Sequence, residues 1–279
     1  WRLLQALVQS LEVVRRVRPD VVLGLGGYIS FPGGLMSALS GRPLVLHEQN
    51  SVAGMANRWL ARVSRRVFTA FPDVLPQAQW VGNPLREAFL KQPVPAERFE
   101  GRHGPLRLLV VGGSLGAQAL NQVVPQALAL IPEGQRPLVM HQSGAKQIEA
   151  LRAAYAAAGV QAELTPFIDD TAQAFAQADL VIGRAGASTV TELAAVGVAS
   201  LLVPFPHAVD DHQTTNARFL SDAGAAWLVP QAQLQASDLA HRLQRVTRTE
   251  LLQMAQAAHA QRKLQAVDDM VQACEELAA

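Results

Sequence analysis

The sequence predicts an α/β protein of two Rossmann-like domains, each a doubly wound parallel sheet, facing a cleft. Three observations carry this expectation. Short apolar runs repeatedly end in a glycine-bearing turn and pass into helical periodicity, the pattern of parallel strands joined by crossover helices. The pattern breaks once, across QPVPAERFEGRHGP (92–105), which is rich in proline, glycine and charge, and then restarts. A chain of 279 residues also favours two domains over one. Residues 1–91 are expected to form an incomplete first domain, 92–105 a linker and 106–262 the second domain. Residues 263–279 are expected to form a helix that packs back on the first domain.

The opening segment reads as an amphipathic helix. Trp1, Leu4, Leu7, Val8, Leu11 and Val14 share one face, and Arg15, Arg16 and Arg18 close it, where cations suit the helix dipole. Its apolar stripe either enters the core or lies on anionic lipid. The chain opens on Trp1, directly into this pattern and without an initiator methionine, so a preceding N-terminal piece is expected. DVVLGLGGY reads as a strand running into glycines. RPLVLHEQN reads as a strand before a helix near 53–63, and RRVFTAF as a third strand, with Asn83-Pro84 marking a turn. After the linker, LRLLVVGGSLGAQALNQVVPQAL is a strand, a glycine loop and a helix containing Pro125. PLVMHQSG is a strand before a helix over 146–158, and AELTPFI a strand after which Asp169 or Asp170 caps a short helix. DLVIGR and ASLLVPF are further strands, and helices near 237–246 and 267–277 close the chain.

Composition narrows the function. The chain is 49% hydrophobic and 17% charged, enough to bury real cores. A net charge of +1 argues against a nucleic-acid partner held by bulk charge. The single cysteine, Cys274, excludes an internal disulfide framework and a cysteine-rich zinc site, and fits a reducing compartment. No apolar run approaches the ~18 residues of a membrane span, and no signal peptide is visible. There is no D-x-D triplet to hold a divalent cation and no nucleophile elbow or P-loop. His207 and His212 flank Asp210 and Asp211, either as zinc ligands or as a solvated loop. No metal or cofactor is expected.

The most informative stretch is GRAGASTVTELAAVG (183–197), a glycine loop that delivers the chain onto a helix N-terminus. Free amides at Ala187, Ser188, Thr189 and Val190 would suit a phosphate. Thr189 and Glu192 stand at capping-box spacing, so Glu192 either completes that cap or accepts two hydrogen bonds from a ribose diol. Downstream, Gln213 and Asn216 either read sugar hydroxyls or, for Asn216, anchor a helix turn. In VVGGSLGAQ (110–118), Gly112, Gly113 and Gly116 would let backbone approach a diphosphate and Ser114 would donate to it; the alternative is a tight turn that needs glycine for geometry alone. It is not the dinucleotide fingerprint. In GLGGYISFPGG (24–34), Gly26, Gly27 and Tyr28 either serve a second phosphate-bearing substrate or form a flexible strand exit. In HEQN, Asn50 either bonds a sugar or caps the next helix, with His47 and Glu48 satisfying each other. Together these features suggest a nucleotide-sugar site.

LGLGGYISFPGG, LHEQNSVAGMANRWLA, FPDVLPQAQWVGNPLR, VVGGSLGAQALN, HQSG, FIDD, GRAGASTVTELAAVG and DHQTTNA, in this order from about Pro19 to the C-terminus, resemble the MurG family of bacterial glycosyltransferases. The resemblance implies the GT-B fold and transfer of N-acetylglucosamine from UDP-N-acetylglucosamine to the 4-hydroxyl of the muramoyl sugar of lipid I. The product is lipid II of peptidoglycan synthesis, with inversion at the anomeric carbon. By matching motif, Ser114 would contact the donor diphosphate and Ile168 would present backbone to uracil. The run Ala187, Ser188, Thr189, Val190, Thr191 and Glu192 would hold phosphate and ribose, and Gln213 the N-acetylglucosamine hydroxyls. Asn50 and Arg86 match further donor positions, and Gly26, Gly27 and Tyr28 the acceptor side. The family also carries an earlier glycine loop whose histidine is its candidate general base. No counterpart stands in this sequence, so the base is expected in a preceding segment, with His47 as the fallback, and the activity of this chain by itself is left open. The lipid-linked acceptor implies peripheral work on the cytoplasmic face of the bacterial inner membrane. Two other readings share these residues: a sugar-nucleotide epimerase of the same fold, against which the GGYISFPGG loop speaks, and a non-catalytic UDP-sugar-binding module.

Overall fold

A computed structural model describes residues 1–113 and 116–279 and divides the chain into two compact units, Trp1–Leu85 with Lys263–Ala279, and Arg86–Arg262. Each unit is built on its own parallel sheet.

The first unit holds β1 (Val22–Gly24), β2 (Leu44–Glu48), β3 (Arg66–Thr69) and β4 (Gln79–Trp80), in that spatial order. All five residues of β2 are buried, as a central parallel strand covered on both faces requires. Its helices are α1 (Arg2–Val17), α2 (Ser30–Leu39) and α3 (Met55–Leu60). The stretch GLGGYISFPGG, expected as a glycine turn, passes into α2 from Ser30 onward. Pro32 stands in the first turn, where its missing N–H costs nothing. Gly34 lets the helix settle on α3: a Cβ there would come within 3.0 Å of Leu60 Cδ1. Along α1, the expected stripe buries Val14 alone, while Trp1, Leu4 and Val8 stay exposed.

The second unit begins with α4 (Glu87–Leu90) and α5 (Pro95–Phe99) and continues β5 (Arg107–Val111), α6 (Gln118–Ala129), β6 (Leu138–Gln142), α7 (Ile148–Ala158), β7 (Glu163–Thr165) and α8 (Thr171–Gln177). It proceeds through β8 (Leu180–Gly183), α9 (Ala187–Val196), β9 (Ser200–Leu202), α10 (His212–Ser221), β10 (Ala226–Leu228), α11 (Ala236–Arg245) and α12 (Arg248–Ala260). The strands lie in the order β10-β9-β8-β5-β6-β7, all parallel. The chain therefore winds outward from β5 through β7, returns to lay β8 on the other side of β5, and winds outward the opposite way. The reversal between β5 and β8 is a topological switch point, where ligands bind beyond the carboxyl ends of the strands. One core, including Leu108, Val110, Leu120, Leu128, Ile182 and Leu201, holds the sheet to its helices.

The stretch 92–105 lies inside this second unit and carries α5. One of its charges is buried. The buried Arg98 guanidinium donates to the carbonyls of Pro93 (3.0 Å), Ala176 (2.9 Å), Val196 (2.9 Å) and Gly197, bonding backbone at the C-terminal ends of α8 and α9. Burial, with the neighbouring Arg102 charge, lowers its pKa to about 10, against the attraction of Asp179. Finally α13 (Ala266–Ala278) belongs to the first unit, where Ala266, Met270 and Ala273 pack with Val45, Phe68 and Val81. Gly82, at φ +89°, makes room for it: a Cβ there would fall 2.6 Å from that of Lys263.

Candidate functional site

Four loops of the second unit, after β8, β5, β7 and β9, leave the carboxyl edge of its sheet, the first two at the switch point. The first follows β8. Its Gly186 is the N-cap of α9, and no side chain caps that end; the first helical hydrogen bond runs from Val190 N–H to Gly186 C=O at 3.0 Å. This corrects the capping-box reading of Thr189 and Glu192. Thr189 is the third residue of the helix and not its cap, so Glu192 stands in the second turn, where it caps nothing. The helix end keeps its amides at Ala187, Ser188 and Thr189 and its partial positive charge for an anion. Val190 is fully buried and Thr191 nearly so; the Thr191 hydroxyl donates to the Ala187 and Ser188 carbonyls at 3.0 Å each. Those two residues anchor the helix rather than face outward.

Glu192 lies 3.8 Å from Arg86, with 18% of its side chain exposed. Burial raises its carboxyl pKa to about 7, against the opposing pull of the guanidinium. Arg86 is mostly exposed and also covers the Phe89 ring at 5.0 Å.

The loop after β5 contains Gly112 and Gly113. At Gly112 a Cβ would sit 2.8 Å from the Ala117 amide, so only glycine closes this turn, and Gly113 adopts φ +78°. Ser114, the expected diphosphate contact, lies outside the described residues. The loop after β7 carries Ile168, half-buried beside the exposed Phe167; the Thr171 hydroxyl reaches its carbonyl at 3.4 Å. Asp170 caps α8 by accepting from Gln173 N–H at 2.9 Å.

Between β9 and α10 the path of the loop is set by a residue to which the sequence reading gave no role. Arg184 donates to the carbonyls of Val203 and Pro204 (3.1 Å each) and to Gln231 Oε1 (2.7 Å). Its position, an arginine directly after a buried strand, is the signal that was available. The next residue, Phe205, donates its N–H to Gln213 Oε1 at 2.9 Å. Among the described residues the Gln213 Nε2 hydrogens have no partner. Asn216 is fully buried and donates to Ala185 C=O at 3.1 Å, which makes it an anchor of the glycine loop and not a sugar reader.

In the first unit, Gly26 (φ +87°), Gly27 (φ +83°) and the exposed Tyr28 follow β1 and lead into α2. At the end of β2 the expected pairing of His47 with Glu48 does not form. Glu48 accepts from the Asn50 and Gly54 amides (2.9 and 3.3 Å) and from Asn57 Nδ2 (2.7 Å). Asn50 is not the cap of α3, whose N-cap is Gly54. His47 is fully buried, its Nε2–H donates to Gly82 C=O at 2.8 Å, and burial lowers its pKa, against that bond and the Glu48 charge. The structure thus withdraws His47 as a fallback base, because its ring is enclosed. Among the described residues no group of three or more His, Cys, Asp or Glu side chains is placed to hold a metal ion.

Two parallel-sheet α/β units, with an uncapped helix end, a glycine loop and a mostly buried carboxylate at the switch point of the second, suit a GT-B glycosyltransferase, and the relatives of the chain show that class. Residues 1–69 match the glycosyltransferase family 28 N-terminal domain, and residues 107–272 match its C-terminal domain. A UDP-N-acetylglucosamine–N-acetylmuramyl-(pentapeptide) pyrophosphoryl-undecaprenol N-acetylglucosamine transferase from Polaromonas sp. (strain JS666) is 68% identical over 99% of this chain and 72% of its own length. The Paracidovorax citrulli protein of the same description is 66% identical over 100% of this chain and 78% of its own. The crystal structure of Acinetobacter baumannii MurG superposes with a TM-score of 0.89 at 39% identity, covering 98% of this chain and 78% of that one. The chain belongs to the MurG family, within glycosyltransferase family 28.

Proposed function

We propose that the chain transfers N-acetylglucosamine from UDP-N-acetylglucosamine to the 4-hydroxyl of the muramoyl sugar of lipid I, giving lipid II and UDP. The observation that carries the reading is the uncapped N-terminus of α9 with Glu192 in its second turn. Departure of UDP leaves charge on the β-phosphate. Fixed amide dipoles at Ala187, Ser188 and Thr189 stabilise that charge without reorganising. Glu192, when ionised, accepts both ribose hydroxyls. Backbone at Ile168 meets the uracil edge, Arg86 supplies positive charge, and Gln213 donates to a hexose hydroxyl. Asn50 is a further donor contact, and Gly26, Gly27 and Tyr28 serve the acceptor. The acceptor hydroxyl attacks the anomeric carbon from the face opposite UDP, so the centre inverts, and a general base takes the hydroxyl proton as the bond forms.

The lipid-linked acceptor of this reaction puts the enzyme on the cytoplasmic face of the bacterial inner membrane as a peripheral protein. Exposed Trp1, Leu4 and Val8, on the stripe that runs into and along α1, with Arg15, Arg16 and Arg18 at its end, support that seat, as an apolar face rimmed by cations suits anionic lipid. Among the described residues no helix is long and apolar enough to cross a membrane. The test is turnover of UDP-N-acetylglucosamine with a lipid I analogue. Appearance of the disaccharide product and UDP is the expected result. Conversion of the donor to its manno epimer, or binding of UDP with no transfer, would overturn the proposal.

A further inference from the structure

Gln142 closes β6, the strand that lies between β5 and β7, and is 3% exposed. Its side chain bonds to both flanking loops. Oε1 accepts from Gly113 N–H at 3.2 Å, and Nε2 donates to Gly113 C=O and to Pro166 C=O, each at 3.1 Å. Its own carbonyl accepts from Gly112 N–H at 3.1 Å. Both amide hydrogens are used, and the surrounding groups fix the orientation of the amide, because an N–H must face the oxygen and two carbonyls the nitrogen.

The glycine loop is also supported at its far end. Asn121 donates to Gln147 Oε1 at 2.8 Å, and its own Oδ1 meets His141 Nε2 at 3.0 Å, while His141 Nδ1 meets the Tyr155 hydroxyl at 3.0 Å. Gln147 so placed lies against Gly116, where a Cβ would come within 2.8 Å of its Nε2. Burial drives the His141 pKa down to about 3, so this chain of bonds keeps one charge state through the physiological range.

We propose that Gln142 is a positioning residue that sets the span between the diphosphate loop at Gly112–Gly113 and the uracil-presenting backbone after Pro166. The inference rests on the donor-site reading above. Strands β5 and β7 are two interstrand spacings apart, on the order of 10 Å, and the nucleoside diphosphate must bridge the same gap. A single side chain rooted in the strand between them holds the gap at one width. The fold thereby bears the ordering of the loop before the donor arrives; without Gln142, that cost falls on binding.

The experiment compares the unaltered chain with Gln142→Met by calorimetry with UDP and with uridine, and by donor KM and kcat in the transfer assay. The expected result is at least a tenfold loss of UDP affinity, a smaller loss for uridine, a matching rise in KM, and kcat within twofold, because Gln142 touches no reacting atom. Should Gln142→Met fail to fold, Gln142→Asn is measured the same way, since it keeps a buried amide but is one methylene too short to reach both loops. A variant with UDP affinity and KM within twofold of the unaltered chain, and only a lower melting temperature or kcat, would overturn the inference alone. Failure of the unaltered chain to bind UDP would overturn the donor-site reading and this inference with it.

Discussion

The Glu192 carboxylate stands 3.8 Å from the Arg86 guanidinium, yet its pKa is raised to about 7. Desolvation therefore outweighs the ion pair at this position, which is expected when one partner is mostly in water and screened. The carboxylate is poised so that a ligand presenting two hydroxyls meets it near its own titration point.

UDP affinity should consequently depend on pH. In the proposed site the ribose diol donates to ionised Glu192, and protonation would remove that acceptor, so affinity should fall as pH drops, by up to about tenfold between pH 8 and pH 6. Glu192→Gln should flatten the profile, and Glu192→Ala should cost ~1–3 kcal/mol at pH 8. Calorimetry across this range decides the matter; a flat profile for the unaltered chain would contradict the role.

The same shift makes Glu192 a burden on the free protein. Its native pKa exceeds the ordinary 4.5, so the penalty is absent below that value and grows as pH rises toward about 7. Glu192→Gln should raise the melting temperature at pH 8 and leave it unchanged at pH 4, read by calorimetric scans at both values.

Gln213 offers a test of sugar recognition. Its Oε1 is committed to Phe205 N–H, leaving the nitrogen to face a hydroxyl oxygen. Gln213→Glu keeps the acceptor and loses the donor, and should weaken UDP-N-acetylglucosamine by about 1 kcal/mol while leaving UDP within twofold. Equal losses for both ligands would show that the side chain does not read the hexose.

Arg98 is a stability determinant. Arg98→Met would leave the carbonyls of Pro93, Ala176, Val196 and Gly197 without this donor, and should cost about 3 kcal/mol in urea unfolding. A loss under about 1 kcal/mol would mean that water replaces the guanidinium without difficulty.

Two T-x-x-E stretches make a matched pair. Thr247 and Glu250 form a true capping box at α12, with Thr247 N–H to Glu250 Oε2 at 2.7 Å and Glu250 N–H to Thr247 Oγ1 at 3.2 Å. Thr247→Ala should cost about 1 kcal/mol of stability. Thr189→Ala, which removes no cap, should stay within about 0.5 kcal/mol. Chemical denaturation of both variants checks the contrast.

The alternation of apolar runs with glycine turns was enough to read both sheets and most of their strands, because parallel strands buried on two faces leave a continuous signature. The loop onto α9 was equally plain. Spacing alone does not separate the two T-x-x-E stretches: whether a threonine caps depends on where the backbone enters the helix, and α9 is entered at Gly186, three residues before Thr189. Strands β4 and β10 are too short to show a period, at two and three residues. Helix α2 hid behind Pro32 and two glycines, of which Gly34 is made useful by packing against Leu60. Arg98 read as linker charge because nothing local reveals that four carbonyls, as far along the chain as Gly197, converge on it. The amide of Gln142 was invisible for a similar reason, as its partners are loops of two other strands.

The return of α13 to the first unit has a consequence for biosynthesis. Met270 and Ala273 complete a core begun by Val45 and Phe68, with the whole of the second unit intervening along the chain. The second unit is continuous in sequence and can close as soon as it leaves the ribosome, whereas the earlier-made sheet must wait, partly uncovered, for its last helix to be translated. The order in which the two units mature is thus the reverse of the order in which they begin to be synthesised, and the interval between them is when this sheet is most open to chaperones and proteases.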